Sequence, residues 1–357
     1  MQKQYKTAVV IGRFQPHHQG HLSLFRKAAE LADNIVIIVG SSYIARNIKN
    51  PFTFEEREAM LYETVKNMFE NVYTYGVTDY MYNDSQWISE VSYNVDEAIS
   101  DIDENDPHPL HVRTFTKDVV IVGYHKDASS WYLDKFPQYD YVEANSEHPL
   151  DATTIREQLF TLKDDEYYAW NVPKHVFNFL MKFVKTDEYV ALREEYEQNV
   201  NYKKPYIGLP YPPIFQTVDA VVFCKSHFLV VKRRASPGKG LLALPGGFLN
   251  VDERINNGIL RELLEETRIK VREDKLVIRE TKTFDHPNRS LRGRTITTTG
   301  LIILDDEHEL PKVRGSDDAE KAKWIPISKL HTMSDKLFED HFSILNYWVP
   351  IAERYGF

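Results

Sequence analysis

Hydrophobic positions follow two rhythms along this chain, and the balance between them shifts near its middle. Residues 7–12, TAVVIG, form a short apolar run ending on glycine, the pattern of a strand buried on both faces. Leu22, Phe25, Ala28, Ala29 and Ala32 then recur at helical spacing, and 34–40, NIVIIVG, is a second run rich in β-branched residues. Strand, helix and strand within about 30 residues predict a parallel, right-handed βαβ unit. A further strand at 119–123 and helical periodicities over 54–69, 87–99, 154–162 and 174–184 continue the alternation. The predicted fold class is α/β, with a doubly wound, Rossmann-like parallel sheet in the N-terminal part. The acidic stretch at 100–107 reads as a solvated loop.

From 186 to 213 the pattern turns charged and then proline-rich, the composition of a domain boundary. The expected division is a domain over 1–185, a linker over 186–205 and a second domain over 206–357. The second half opens with strands at 216–224 and 227–234 and a glycine-rich turn. A helix near 254–268, strands near 275–284 and 295–304, and a final helix from about 335 follow. That order predicts an α+β domain.

Composition narrows the class. A length of 357 residues suits two domains, and 42% hydrophobic content is enough for two cores. The net charge of −9 argues against nonspecific nucleic-acid binding. The single cysteine, Cys224, rules out an internal disulfide and fits a reducing compartment. The first apolar run is too short for a signal peptide, and no stretch approaches the roughly 20 apolar residues of a membrane span. The expectation is a cytoplasmic protein with no membrane or nucleic-acid partner. The sequence leaves a homo-oligomer open.

Two clusters carry chemistry. In the first, GRFQPHHQGH, the chain leaves a strand through Gly12, Arg13 and Phe14 and enters a helix at His18, Gly20 and His21. Helix N-termini at the carboxyl edge of a parallel sheet attract phosphates. His18 and His21 share one side of the first turn, Gly20 lets a ligand approach the backbone, and Arg13 adds a fixed positive fork. The residues alone describe a triphosphate cradle.

This string resembles the nucleotidyltransferase superfamily with the H-x-G-H signature, and its lead-in resembles the archaeal-type nicotinamide-mononucleotide (NMN) adenylyltransferases. The resemblance implies that NMN and ATP give NAD and pyrophosphate with the help of Mg²⁺. His18 and His21 would stabilise the transferring phosphoryl group. The segment DATTIREQL resembles the superfamily's late phosphate motif, with Thr153 and Thr154 as binders and Arg156 on the leaving pyrophosphate; Asp151 stands where that motif usually has serine. Arg46 and Lys49 become candidates for the NMN phosphate. Trp87 and Asn83 become candidates for the nicotinamide ring, with plain core packing an equal alternative for Trp87.

In the second cluster, Glu262, Glu265 and Glu266 fall at i, i+3 and i+4 behind Pro245-Gly246-Gly247. Three carboxylates on one helical face suit a hard cation such as Mg²⁺ or Mn²⁺. The string resembles the Nudix box, which implies that these three glutamates are metal ligands and that Arg261 and Glu253 orient them as a buried pair. The box usually has glycine where this chain has Arg268. The segment at 284–297 resembles ADP-ribose pyrophosphatase Nudix domains. It offers Arg289, Arg292 and Arg294, with Gly246 and Gly247, as ADP-ribose binders, and implies release of AMP and ribose 5-phosphate. Adenylyltransferase followed by Nudix is similar to a bifunctional bacterial family of NAD metabolism. A Nudix half that only senses ADP-ribose or NAD is the alternative.

Overall fold

The structure is a computed structural model that describes residues 3–104, 118–125, 128–144, 152–161, 171–304 and 308–356. By contact density it divides into two compact units, Met1–Arg193 and Glu194–Phe357.

In the first unit, the apolar run becomes β1 (Tyr5–Gly12), followed by α1 (Gln19–Leu31) and β2 (Ala32–Val39). Then come α2 (Phe54–Val65), β3 (Asn71–Gly76), α3 (Asp84–Glu104), β4 (Val119–Gly123) and β5 (Asp140–Glu143), with α4 (Ala152–Thr161) and α5 (Lys174–Phe183) behind them. The sheet order is β3-β2-β1-β4-β5, and every pairing is parallel. Alternate residues of β1 feed two cores. Ala8 and Val10 pack with Phe25 and Ala28 of α1, while Val9 and Ile11 pack with Val91, Val95 and Ala98 of α3. The strand order reverses between β1 and β4, so the loops leaving them diverge and open a crevice at the carboxyl edge.

The sequence reading missed β3 and β5. It also took 100–107 for a loop, whereas its first residues close α3 and Ile102 is buried. Its remaining residues, like Asp151, lie outside the described residues. Most of the expected linker is helical, as α6 (Asp187–Lys203).

The second unit continues with β6 (Phe215–Cys224) and β7 (His227–Arg233), joined at Lys225 and Ser226. Both joining residues have left-handed backbones, as a two-residue hairpin turn requires. Next are β8 (Leu242–Ala243), β9 (Gly246–Phe248), α7 (Ile255–Thr267), β10 (Ile278–Phe284), β11 (Thr295–Ile303), β12 (Ala319–Pro326) and α8 (His341–Glu353). The mixed sheet runs β10-β11-β6-β7-β12, with β9 beside β6 and β8 beside β7. The helix α7 packs Ile259 and Leu263 against Val218, Ala220 and Val222 of β6. From α8, Trp348 donates to the Thr299 hydroxyl at 2.8 Å, one residue from Gly300, which meets Ile259 of α7. Because neighbouring strand residues face opposite ways, α7 and α8 cover opposite faces. Leu264, next to the buried Leu263, is 39% exposed.

Candidate active sites

The first site grows from the end of β1. A side-chain carbon at Gly12 would meet the Phe14 ring at 2.8 Å, so glycine is what lets the chain fold back over Phe14. Phe14 itself has a left-handed backbone and is buried, its ring edge-on to His21 with centroids 5.0 Å apart. It supports the histidine from beneath.

His18 caps α1. Its Nδ1 accepts from the Gly20 N–H, and His21 Nδ1 accepts from the His18 N–H, both at 3.2 Å. These reciprocal bonds form a capping box made of two histidines. They also assign the tautomers: a neutral ring whose Nδ1 accepts must carry its proton on Nε2. Both rings, 4.1 Å apart, are therefore Nε2–H donors held in one geometry.

The cradle is fixed from both sides. Gln15 bonds both the N–H and the C=O of Phe52, and Arg156 donates to the Gln15 carbonyl at 2.7 Å and to the Thr153 hydroxyl at 3.2 Å. Lys49 is half-buried. Burial chiefly, with Arg13 and Arg156 adding to it and Asp79 opposing, lowers its pKa to about 8. Lys49, Arg13 and Arg156 thus share one positive region at the carboxyl edge, and Thr153 joins it through Arg156.

Other expected residues sit elsewhere in the local network. Arg46 makes a bidentate pair with Glu56 at 2.6 and 2.9 Å and donates to the Pro51 carbonyl. Asn83 accepts the Gln86 N–H at the start of α3. Trp87 packs among Trp131, Tyr132 and Phe136. Sequence reasoning missed Asp79, whose carboxylate accepts from both the N–H and the hydroxyl of Ser41. It also missed His17, which burial holds near a pKa of about 3 while its Nε2 bonds the Thr64 hydroxyl. Their residue types gave no signal, because both act through partners distant in sequence.

The second site is a cavity of about 220 Å³ lined by Glu262, Glu265, Glu266, Gly246 and Gly247. A side-chain carbon at Gly247 would meet the Glu262 carboxylate at 2.6 Å, so only glycine lets that carboxylate lie against the loop. Arg261 makes two bonds to Glu253 and also donates to Glu262 and Glu265. Arg261 and Glu253 are paired as expected, though Arg261 keeps 26% side-chain exposure. Burial, with help from Glu262, raises Glu266 to about 8, although the Gly246 N–H donates to it. Burial raises Glu262 as well, aided by Glu265 and opposed by Arg261.

Among the described residues, no three acidic, histidine or cysteine side chains converge on one point. The oxygen-only donor set and the mutual repulsion of the carboxylates nonetheless fit a hard divalent cation. Arg268 takes the left-handed C-cap of α7, the conformation for which glycine is usual.

Of the three expected arginines, Arg289 and Arg292 line the cavity. Arg289 is buried in a bidentate pair with Asp340 at 2.9 Å for each bond. Arg294 donates to the Asp285 carbonyl and is absent from the cavity wall. Two unforeseen residues meet at the cavity wall, Asp219 and His341. Burial raises Asp219 to about 6 and lowers His341 to about 3. The Leu244 N–H donates to His341 Nδ1 at 2.8 Å, so the neutral ring points Nε2–H toward Asp219, 3.9 Å away. A lone aspartate in the apolar strand TVDAVVF was the available signal.

Two families match this chain: a cytidylyltransferase-like family over residues 9–158 and the NUDIX domain over 214–347. A nicotinamide/nicotinic acid mononucleotide adenylyltransferase of Acinetobacter baylyi is 32% identical over 53% of this chain and 92% of its own length. A nicotinamide-nucleotide adenylyltransferase of Methanococcus maripaludis is 38% identical over 24% of this chain, which is 48% of that protein. A crystal structure of a bifunctional NMN adenylyltransferase/ADP ribose pyrophosphatase from Francisella tularensis, complexed with AMP and a manganese ion, spans both halves. It is 36% identical, covers 97% of this chain and 99% of that one, and has a TM-score of 0.85.

The chain belongs to this bifunctional family. Its H-x-G-H cradle lies within the cytidylyltransferase-like match, and its carboxylate helix within the NUDIX match. As a member of the family it combines a nucleotidyltransferase fold with a Nudix fold. Among the described residues, no helix is long and apolar enough to cross a membrane.

Proposed function

We propose that the chain makes NAD from NMN and ATP in its first unit and hydrolyses ADP-ribose to AMP and ribose 5-phosphate in its second. For the first reaction, the supporting observation is the histidine capping box beside Lys49, Arg13 and Arg156. An oxygen of the NMN phosphate attacks the α-phosphorus of ATP, and the bond to the bridging oxygen breaks to release pyrophosphate. No covalent enzyme intermediate is required. The Nε2–H donors of His18 and His21 meet the growing negative charge on the transferring phosphoryl oxygens. Arg156, held by the Gln15 carbonyl, faces the leaving pyrophosphate, and Lys49 takes the incoming phosphate.

For the second reaction, Glu262, Glu265 and Glu266 would hold Mg²⁺ or Mn²⁺. When bound, the cation neutralises the diphosphate and activates the attacking water. Arg261 and Glu253 orient the carboxylates, and Arg292 faces the diphosphate across the cavity. Arg268 adopts the turn that glycine would supply, so its presence leaves the glutamate helix intact and favours catalysis over sensing alone. The buried Cys224 and the ATP-dependent chemistry suit the cytoplasm.

The test is direct. The purified chain with Mg²⁺ should form NAD and pyrophosphate one for one from NMN and ATP, and should release AMP from ADP-ribose. NAD synthesis with no AMP release under either Mg²⁺ or Mn²⁺ would sink the second assignment.

A further inference from the structure

The segment Phe338–His341 in the second unit is pinned on both sides of one residue. The Phe338 N–H donates to the Leu242 carbonyl at 2.8 Å, and its ring lies 4.0 Å under the Arg233 guanidinium. Asp340 is clamped by both arms of Arg289. His341 accepts the Leu244 N–H. Between these anchors Glu339 has a φ of 48°, a left-handed backbone that a glutamate adopts at a cost. The anchored neighbours hold it there and turn its side chain onto the cavity wall.

Its surroundings are those of a polar binding group. The Ser290 hydroxyl donates to it at 2.7 Å, Arg292 stands 3.7 Å away, and its side chain keeps 10% exposure. Arg233 interacts electrostatically with both Glu339 and Glu266, and all three line the same cavity. A diphosphate attracted to Arg233 and Arg292 would carry its two substituents to either side. A carboxylate facing one of them repels anions and favours neutral groups rich in hydroxyl donors.

We propose that Glu339 is a specificity-determining residue that accepts hydrogen bonds from the hydroxyls of the terminal sugar of a sugar nucleoside diphosphate. This rests on the pyrophosphatase reading of the cavity and adds which end of the ligand the loop recognises. A site built to accept from hydroxyls discriminates strongly against ligands that lack them.

The experiment measures binding of AMP and of ribose 5-phosphate separately to the full chain with Mg²⁺, by calorimetry, in the wild type and Glu339→Gln. Glutamine keeps the size and the Ser290 contact and removes the charge. Ribose 5-phosphate should weaken about tenfold, as for loss of a charge-assisted hydrogen bond, while AMP stays within twofold. Glu339→Gly, which relaxes the left-handed backbone, should give the same split and controls for a folding defect. Weakening of AMP instead, no change in either ligand, or no wild-type binding of ribose 5-phosphate would each overturn the proposal. In parallel, AMP release from ADP-ribose tests the reaction itself. Binding with the expected split but no turnover would spare the sugar site and reject hydrolysis.

Discussion

Lys49 shows how a single side chain can be set for phosphate by its neighbours. With its pKa lowered to about 8, chiefly by burial, it is charged below that value and loses its proton as pH rises through it. An unfolded lysine titrates near 10.4, so below pH 8 the buried charge works against folding, and the penalty lifts as pH rises toward 10. A bound phosphate offsets that penalty. The kcat/KM for NMN should therefore decline above about pH 8. Lys49→Arg should move this limb to higher pH, since a guanidinium stays charged, and Lys49→Met should raise KM for NMN by roughly tenfold or more. An unchanged alkaline limb in Lys49→Arg would assign it to another group. At this scale the sequence was informative where chemistry is local. The H-x-G-H spacing builds its own capping box from His18 and His21. It could not show that Arg46 is taken by Glu56, or that Arg289 is taken by Asp340, because neither pairing falls within one helix or strand.

Among the elements, α7 and the loop pinned by Arg289 give the clearest tests. Arg268 sits at φ 42° past the end of α7, and its Nε donates to the Ser316 hydroxyl at the surface. Arg268→Gly should stabilise the second unit by about 1 kcal/mol in denaturant unfolding, because left-handed backbone is costly for a residue with a side chain. Arg289→Ala should destabilise it by about 3–5 kcal/mol, since Asp340 would be left charged and buried. A loss under 1 kcal/mol would mean that Asp340 finds another partner or takes up a proton.

Strands buried on both faces, such as β1, β2 and β4, were legible as apolar runs. The strand β3 (NVYTYG) mixes tyrosines with polar residues, and the edge strand β5 (DYVE) is largely exposed, so neither left a hydrophobic signature. The charged α6 was readable as a boundary but not as a helix, because its 17 residues carry no strong apolar stripe.

For the whole molecule, the central claim is that two complete sites coexist in one chain. The cradle draws its residues from β1, α1, α4 and the loops after β1 and β2. The carboxylate site draws its own from β6, β9, α7 and the loop before α8. No residue is shared, so each site should fail alone. The decisive measurement follows NAD formation from NMN and ATP, and AMP release from ADP-ribose, in the wild type and in Glu265→Gln/Glu266→Gln, with Mg²⁺ present. The account predicts that the double variant loses AMP release by at least about a hundredfold, as removal of metal-binding carboxylates should, while NAD formation stays within twofold. AMP release that survives in the variant, or NAD formation that falls with it, would contradict two separate active sites.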